Sequence, residues 1–318
     1  MDTHLPVLLA ETLEGLNPRL DGLYVDATFG RGGHAAAILE RLGPSARLLA
    51  LDRDPDAARC AAERFSSDPR VTFMPVAFSR LAEVIAKQGW AGRVDGILLD
   101  LGVSSPQLND SERGFSFRQN GPLDMRMNPA TGVSAADWLS RISEAALDRV
   151  LVELGEERFH RRVAHAIIAA RQQGPVTTTA QLAALIAAAV PTREPGQHPA
   201  TRAFQAIRIA VNDELGELAA VLPQAVMALR AGGRLAVISF HSLEDRMVKR
   251  FMREQAHGQE LPPGLPVMGA PQGMTMRLIG RLIRPGSAEI AANPRARSAL
   301  LLIAERLAGK AEPCLSRC

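Results

Sequence analysis

The first hundred residues alternate short apolar runs with longer amphipathic stretches. The apolar runs predict four β-strands, which occupy residues 23–25, 47–51, 71–74 and 94–99. The amphipathic stretches predict three helices, which occupy residues 35–42, 55–64 and 81–88. Strands that are apolar along their length and alternate with helices are typical of right-handed βαβ units, whose parallel sheet is covered on both faces.

The pattern changes after Asp100. Residues 102–133 are rich in Gly, Ser, Pro, Asn and Asp, and the stretch is too polar for a core and long for a simple connection. The spacing of apolar positions then predicts four helices, at residues 135–141, 144–154, 156–172 and 180–190. Ser134, Ser143 and Thr179 are candidate N-caps for three of them, because a hydroxyl there can accept a backbone N–H of the first turn.

Strands and helices alternate again towards the C-terminal end. Residues 203–230 are predicted to be helical, with Pro223 at the start of a second helix. A turn at 231–233 leads into a strand at 234–238, and the last strand is predicted at 298–304. The pattern predicts an α/β protein with a doubly wound, mostly parallel sheet and an inserted all-helical domain. We place the α/β domain at 1–107 and 205–318 and the insertion at 108–204.

Composition excludes several classes of protein. With 47% apolar and 22% charged residues, the chain is neither disordered nor fibrous. No window of 18 apolar residues predicts a membrane span, and the N-terminus lacks the pattern of a signal peptide. Cys60, Cys314 and Cys318 form neither a disulfide framework nor a metal cluster, and the histidines lack metal-ligand spacing. We therefore expect a cytosolic protein without a metal or a membrane partner.

The basic residues are mostly arginine. The chain has 37 Lys and Arg residues, only three of them Lys, against 34 acids, for a net charge of +3. Abundant arginine suits a nucleic-acid partner, although a biased genome composition explains it equally well. Two stripes could follow RNA phosphates or could be solvated faces: one comprises Arg158, Arg161 and Arg162 on one predicted helix, and the other comprises Arg246, Lys249, Arg250 and Arg253.

The turn after the first strand is typical of a nucleotide-cofactor loop. An acidic residue, Asp26, ends the strand, and Gly30, Gly32 and Gly33 follow at the mouth of a helix. Glycines let a cofactor approach the backbone where a Cβ would clash, although tight packing alone can also require them. Asp52 ends the second strand, 22 residues after Gly30.

A carboxylate at the position of Asp52 can bind a ribose diol, whereas the alternative role is a helix N-cap. This pattern alone is compatible with NAD or with S-adenosyl-L-methionine. The loop lacks the third glycine, three residues further on, that seats a pyrophosphate, and this favours S-adenosylmethionine.

The segment after the fourth strand favours methyl transfer to an exocyclic amine. Asp100 ends the strand, and Ser105, Pro106 and Gln107 follow. Amine methyltransferases carry a polar residue, two prolines and an aromatic residue here, and this chain has only the polar residue and the first proline. A hydroxyl or carbonyl that accepts the amine N–H bonds can aim the nitrogen lone pair at the methyl group without a strong base. The alternative is an ordinary Ser-Pro turn.

Taken together, these motifs resemble the bacterial 16S ribosomal RNA cytosine-N4 methyltransferases of the MraW family. The matching segments run in order along nearly the whole chain, at residues 28–34, 51–55, 100–107, 112–117, 121–127, 155–158, 198–202, 239–246 and 293–298. The resemblance implies a class I methyltransferase fold and S-adenosylmethionine-dependent N4 methylation of a cytosine in the decoding region of 16S rRNA in the small ribosomal subunit. The target base must then be unstacked or single-stranded.

The resemblance also assigns cofactor contacts. The matching positions are Gly32, Gly33, His34, Asp52, Phe78, Asp100 and Gln107. Phe78 also follows the third strand, where an aromatic ring can pack on adenine, although a core role is the alternative. We assign Asp100, Ser105 and Pro106 to the catalytic step.

Further candidates follow the fifth strand, which ends at the same sheet edge as Asp100. Ser239, His241 and Ser242 are candidate contacts to the target base, whereas Glu244 and Asp245 are as well explained as caps of the next helix. In the insertion, Asp124 and Arg126 could close over the site or form a salt-bridged loop.

Three alternatives to this activity remain at this point. They are a DNA amino-methyltransferase, an NAD-dependent oxidoreductase, and a ribosome-assembly factor that has lost catalysis. The complete glycine loop and Asp100 argue against the last. The sequence leaves open whether the chain forms a homodimer.

Overall fold

The chain divides into two compact units. The α/β unit comprises Met1–Gly102 and Gly216–Cys318, and the helical unit comprises Val103–Leu215. The computed structural model describes residues 6–192, 196, 198–258 and 273–308. The predictions about the first five residues and about Cys314 and Cys318 lie outside them. The predicted domain boundaries, after residues 107 and 204, stay a prediction.

The α/β unit is built on one twisted sheet. Its strands are β1 (Leu23–Asp26), β2 (Arg47–Leu51), β3 (Val71–Met74), β4 (Val94–Asp100), β5 (Leu229–Ser239), β6 (Met276–Leu278) and β7 (Leu300–Arg306). Among the described residues these seven strands form one sheet in the order β3-β2-β1-β4-β5-β7-β6. The first five pair in parallel, and β7 is antiparallel to β5 and β6. The predicted doubly wound, mostly parallel sheet is confirmed.

Helices cover both faces of the sheet. They are α1 (Leu9–Leu16), α2 (Gly33–Leu39), α3 (Pro55–Phe65), α4 (Leu81–Gln88), α11 (Glu214–Ala228), α12 (Ser242–His257) and α13 (Ser287–Ala292). Successive strand residues point to opposite faces. Leu48 and Ile238 therefore lie in one buried cluster with residues of α1 to α3, while Leu49 and Val237 lie in another with residues of α4, α11 and α12.

The helical unit has its own apolar core. Its helices are α5 (Ser105–Asn109), α6 (Ala135–Arg141), α7 (Glu144–Gly155), α8 (His160–Gln173), α9 (Thr179–Ala189) and α10 (Thr201–Asn212). Leu147, Ile167 and Ile207 are fully buried in a third cluster, which confirms the predicted all-helical insertion. Ser134 and Ser143 cap α6 and α7 as predicted. No helix among the described residues is long and apolar enough to span a membrane.

Two predicted helix starts are wrong. Helix α9 begins at Thr179, and the preceding Thr178 is its N-cap, because the Thr178 hydroxyl accepts the N–H of Gln181 (3.3 Å). Helix α8 begins at His160 and not at residue 156, because Glu156 adopts a positive φ of 51° that ends α7. Both corrections are shifts of one to four residues at a helix end, where local spacing is least informative.

The predicted break at Pro223 is also wrong. The two helices meet at Asp213, which has a positive φ of 50°, and Pro223 lies inside α11. Pro223 is exposed, whereas Leu218 and Val226 before and after it are buried, so continuous packing compensates for the hydrogen bond that proline cannot make. Strand β5 begins at Leu229, earlier than the predicted residue 234, and its pairing register with β4 shifts around Gly232 and Gly233.

Candidate active site

Three carboxylates lie at the carboxyl ends of adjacent parallel strands. Asp26 and Asp100 are the last residues of β1 and β4, and Asp52 directly follows β2. These three strands are neighbours in the sheet. In open α/β sheets, ligands bind at this edge. The α/β unit therefore concentrates carboxyl groups where the fold class places its ligand.

Hydrogen bonds fix the glycine loop to all three strand ends. The Thr28 N–H donates to Asp26 Oδ1 (3.2 Å), and the Thr28 hydroxyl accepts the N–H of Asp100 (2.6 Å). The Gly30 N–H donates to Asp52 Oδ2 (2.8 Å). Gly30 has a positive φ of 52°, and a Cβ there would meet only one atom, 4.0 Å away, so this part of the loop faces open space. Hydrogen bonds therefore hold the loop at the strand ends, and a ligand can reach its backbone at Gly30.

The other two glycines of the loop are required by the chain's own packing. A Cβ on Gly32 would lie 2.7 Å from the Phe65 ring, and a Cβ on Gly33 would lie 2.5 Å from the Pro6 ring. Glycine at these two positions is therefore explained by packing, which was the alternative reading. Their contact with a cofactor stays a prediction.

Asp52 is not the helix cap that the sequence left open. Asp54 is the N-cap of α3 and accepts the N–H of Asp56 (2.9 Å). The two oxygens of Asp52 accept the backbone N–H groups of Gly30 (2.8 Å) and Asp54 (2.9 Å). Burial raises the pKa of Asp52 to about 6, although both backbone hydrogen bonds act in the opposite direction. Each carboxylate oxygen keeps a second lone pair, so Asp52 can also accept two hydroxyl groups.

A buried histidine lies between two of the carboxylates. His34 is in the first turn of α2, only 6% exposed, with Nε2 3.5 Å from Asp100 Oδ2. Burial lowers the pKa of His34, but Asp100 and Asp26 raise it more, and the net shift is upward. Within the part of the chain that the structure describes, Asp100 Oδ1 and both ring nitrogens of His34 are among the buried polar atoms without a hydrogen-bond partner. Such atoms are uncommon in folded proteins.

Asp26 is a site residue that the sequence reasoning did not assign. It is 1% exposed, and burial raises its pKa to about 7, with Asp100 and Asp52 adding to the shift and His34 opposing it. Its place as the last residue of an apolar strand before a glycine loop is the signal that could have identified it. Its carboxyl group interacts electrostatically with the His34 imidazole and with Asp100.

The raised pKa of Asp26 predicts a pH dependence of stability. The pKa of Asp26 is 3.8 ordinarily and about 7 in the folded chain, so the folded chain binds more protons between these values than the unfolded chain does. The contribution of Asp26 to the free energy of unfolding should therefore fall as the pH rises from about 4 to about 7. Asp26→Asn should gain in melting temperature relative to wild type at pH 8 and lose that gain at pH 5, as thermal unfolding across pH would show.

A matched control is available in the helical unit. Hydrogen bonds from Arg126 lower the pKa of Asp124 below its ordinary value, although burial alone would raise it. Asp124→Asn should therefore change stability without altering the slope between pH 5 and 8. An Asp26→Asn protein whose pH slope matches that of wild type would contradict the assignment.

Phe78 lies in a short 3-10 turn after β3, at Phe78–Arg80. Its side chain is half-buried and packs against the apolar cluster on the face covered by α4 and α11. The ring thus has a core contact and an accessible part. Both readings of Phe78 are compatible with this placement, and its adenine contact stays a prediction.

The predicted Ser-Pro turn is the start of a short helix, α5, in the helical unit. Ser104 is the N-cap, and its N–H donates to the side-chain oxygen of Gln107 (2.8 Å) in a capping box. Ser105 and Pro106 form the first turn, and Gln107 is buried. A proline in the first turn is favourable because its missing N–H has no partner there in any helix. The catalytic and cofactor roles of these residues stay predictions.

The segment after β5 caps a helix. His241 is the N-cap of α12, and Glu244 Oε2 accepts the N–H groups of Phe240 (2.8 Å) and His241 (3.3 Å). The capping role of Glu244 is therefore confirmed. Ser239 ends β5 and Ser242 begins α12. Contacts of Ser239, His241 and Ser242 with a base stay predictions.

The first arginine stripe is exposed but is not on one helix. Arg161 and Arg162 lie in the first turn of α8, whereas Arg158 precedes that helix. The Glu157 carboxylate accepts the N–H of Phe159 (2.8 Å) and shapes the turn that carries Arg158. The correction follows from the later start of α8.

The second stripe, on α12, is partly paired. Lys249 donates to Asp245 (2.7 Å), and Arg246 is exposed.

In the helical unit, Arg126 binds Asp124 through two hydrogen bonds (2.9 and 2.6 Å), which confirms the salt-bridged loop.

Comparison with known proteins gives one consistent result. A sequence model described as the MraW methylase family matches residues 1–307. Ribosomal RNA small subunit methyltransferase H of Thioalkalivibrio sulfidiphilus is 60% identical, over 96% of this chain and 98% of that protein. The protein of the same name from Thiobacillus denitrificans is 59% identical, over 96% and 97%. The one from Pseudoalteromonas atlantica is 53% identical, over 96% and 98%. The chain belongs to the MraW methylase family.

Proposed function

We propose that this chain transfers a methyl group from S-adenosylmethionine to the exocyclic N4 amine of a cytosine in 16S rRNA. The observation that carries the proposal is the set of strand-end carboxylates around the glycine loop. The relatives named ribosomal RNA small subunit methyltransferase H support the RNA substrate, because they match nearly the full length of this chain. Such a protein would act on the small ribosomal subunit in the cytoplasm.

The residues of the α/β unit fit this cofactor. Asp52 can accept the two ribose hydroxyls, and Phe78 can pack on the adenine. Asp100 has a buried oxygen, Oδ1, without a hydrogen-bond partner among the described residues. A carboxylate at this edge of the sheet would suit a cationic ligand. When bound, the cofactor supplies an electrophilic methyl group on a sulfonium. His34, with Nε2 3.5 Å from Asp100 Oδ2, would help to hold the Asp100 carboxylate in place.

The chemical step mainly requires orientation of the amine. The lone pair of cytosine N4 is delocalised into the ring, so the nitrogen is a weak nucleophile. An acceptor for its N–H bonds, either the Ser105 hydroxyl or a backbone carbonyl of the same segment, would turn the lone pair towards the methyl group. In such a transfer the N–C bond would form as the S–C bond breaks, and the resulting N4 cation would be acidic enough to release its proton to water.

The proposal is tested by methyl transfer to isolated small subunits. Subunits from cells that lack this gene should accept radiolabelled methyl groups, and nucleoside analysis should recover the label as N4-methylcytidine. Subunits from cells that contain the gene are the control and should accept little. In a parallel assay with added DNA, label on adenine or cytosine would favour the DNA alternative. Binding of NAD but not of S-adenosylmethionine, measured by calorimetry, would favour an oxidoreductase.

The arginines of the helical unit provide a prediction about RNA. Changing Arg158, Arg161 and Arg162 together to Glu should weaken RNA binding and flatten the dependence of log Kd on log salt, because fewer counterions are released. Fluorescence anisotropy across a salt series would measure both.

The control has the same change in net charge elsewhere. Arg59 and Arg277 are exposed arginines of the α/β unit, each paired with an acid, and Arg41 is a third exposed arginine of this unit. If the control triple variant weakens RNA binding as much as the first one, the effect is one of overall charge and the stripe is a solvated face.

A further inference from the structure

Two side chains of α11 hold the turn that carries Phe78. The Gln224 amide donates to the Ser79 carbonyl (2.6 Å), and its oxygen accepts the N–H of Ala82 (2.7 Å). Glu217, two helical turns earlier, accepts the N–H of Ser79 at Oε2 (3.3 Å). The backbone of the turn is thus bound on both sides of Ser79 by residues about 140 positions further along the chain.

These bonds replace a cap that the local sequence does not supply. Helix α4 starts at Leu81, and its N-cap residue, Arg80, makes no side-chain cap hydrogen bond. Arg80 instead binds Glu83 through its guanidinium (2.6 Å). The first N–H groups of a helix need acceptors from outside it. Gln224 satisfies the N–H of Ala82 from another element and so determines where the turn ends and α4 begins.

Glu217 also reaches the end of the neighbouring strand. Its Oε1 lies 3.9 Å from the guanidinium of Arg53, the residue directly after Asp52. Both side chains are about four-fifths buried, so their charges are screened less than those of a surface pair. One helix therefore contacts the segments that follow β2 and β3, which carry the ribose and adenine candidates.

We propose that Glu217 and Gln224 are positioning residues for the adenosine half of the cofactor. They hold the backbone of the turn that carries Phe78, and Glu217 also lies beside Arg53, the residue after Asp52. Neither residue touches the reacting atoms. The inference rests on the proposed function, since it takes Phe78 as the adenine contact. Helix α11 then affects the affinity for the adenosine part of the cofactor and not the rate of methyl transfer.

The decisive variant is Gln224→Leu, which keeps the size of the side chain and removes both hydrogen bonds. The Kd for S-adenosylmethionine should rise about tenfold, the size expected for one or two ordinary hydrogen bonds. The Kd for 5′-methylthioadenosine, which has the adenosine but no amino-acid end, should rise by the same factor. The rate at saturating cofactor and the KM for small subunits should stay close to wild type. Calorimetry and steady-state kinetics on the full chain give all four values.

Gln88→Leu is the matched control. Gln88 is exposed at the other end of α4, so the same chemical change there should leave both Kd values unchanged. Glu217 offers a rescue test, because Glu217→Gln keeps an acceptor for the Ser79 N–H and Glu217→Leu does not. The Leu variant should bind the cofactor several-fold more weakly than the Gln variant.

Two outcomes would overturn the inference. In the first, Gln224→Leu binds both ligands as wild type does. In the second, it loses turnover at saturating cofactor while its Kd values stay unchanged, which would indicate a role in chemistry or in general stability. A wild-type chain that binds neither ligand would instead reject the proposed function, so the two failures are distinguishable.

Discussion

Replacing Ser105 by alanine is expected to lower the rate of methyl transfer in a single turnover by roughly ten- to a thousand-fold, with cofactor affinity nearly unchanged. Ser105 is the first residue of α5 and follows Asp100, the end of β4, by five positions. If its hydroxyl accepts an N–H of the target amine, the hydrogen bond strengthens as the lone pair turns towards the methyl group. Loss of this hydrogen bond therefore raises the free energy of the transition state more than it weakens ground-state binding.

Neighbouring residues provide the comparison for Ser105. Ser104→Ala removes a hydroxyl one residue earlier, where it caps α5, and should lower stability by about 1 kcal/mol while transfer stays much closer to wild type. Pro106→Ala should loosen the first turn and reduce the rate less than Ser105→Ala. Gln107→Ala should also weaken cofactor binding. Wild-type transfer by Ser105→Ala would leave the orienting role to a backbone carbonyl.

Replacing Asp52 by alanine is expected to weaken S-adenosylmethionine binding by about 1–3 kcal/mol, or roughly five- to 150-fold in Kd. The variant would lose the charge-assisted hydrogen bonds from the carboxylate to the ribose hydroxyls. The N–H groups of Gly30 and Asp54 would also lose their acceptor, so the glycine loop would be less well held. Calorimetry on the folded variant measures the change.

Asp54→Ala is the control for Asp52. Asp54 caps α3 through the N–H of Asp56, so its loss should reduce the free energy of unfolding by about 1 kcal/mol with a much smaller effect on Kd. An unchanged Kd for a folded Asp52→Ala protein would reject the ribose assignment.

Local patterns were enough to predict the first four strands of the sheet. β1, β2, β3 and β4 occupy the predicted positions to within one residue at each end. Most residues of β1, β2 and β4 are buried, and a strand buried on both faces must be apolar along its whole length. Parallel pairing then brings their carboxyl ends to one edge. For this reason the sequence could place the segment after the fifth strand at the same sheet edge as Asp100.

Other elements carried too weak a local signal. Strand β6 has only three residues and was not predicted, and helix α1 was not predicted either. Helix α11 runs through Pro223 because the apolar residues on either side pack on the sheet. A proline is a strong local signal for a break, and only the tertiary contacts of the helix outweigh it.

The sequence by itself determined which strands form, where the glycine loop lies, and which acidic residues end the strands. These features follow from the period of apolar positions and from residue types within a few positions of one another. Only the tertiary structure decided that the oxygens of Asp52 hold the loop, that His34 lies beside Asp100, and that Gln224 caps α4. Those contacts join residues 22 to 142 positions apart, and their geometry depends on how helices pack on the sheet, which no local spacing encodes.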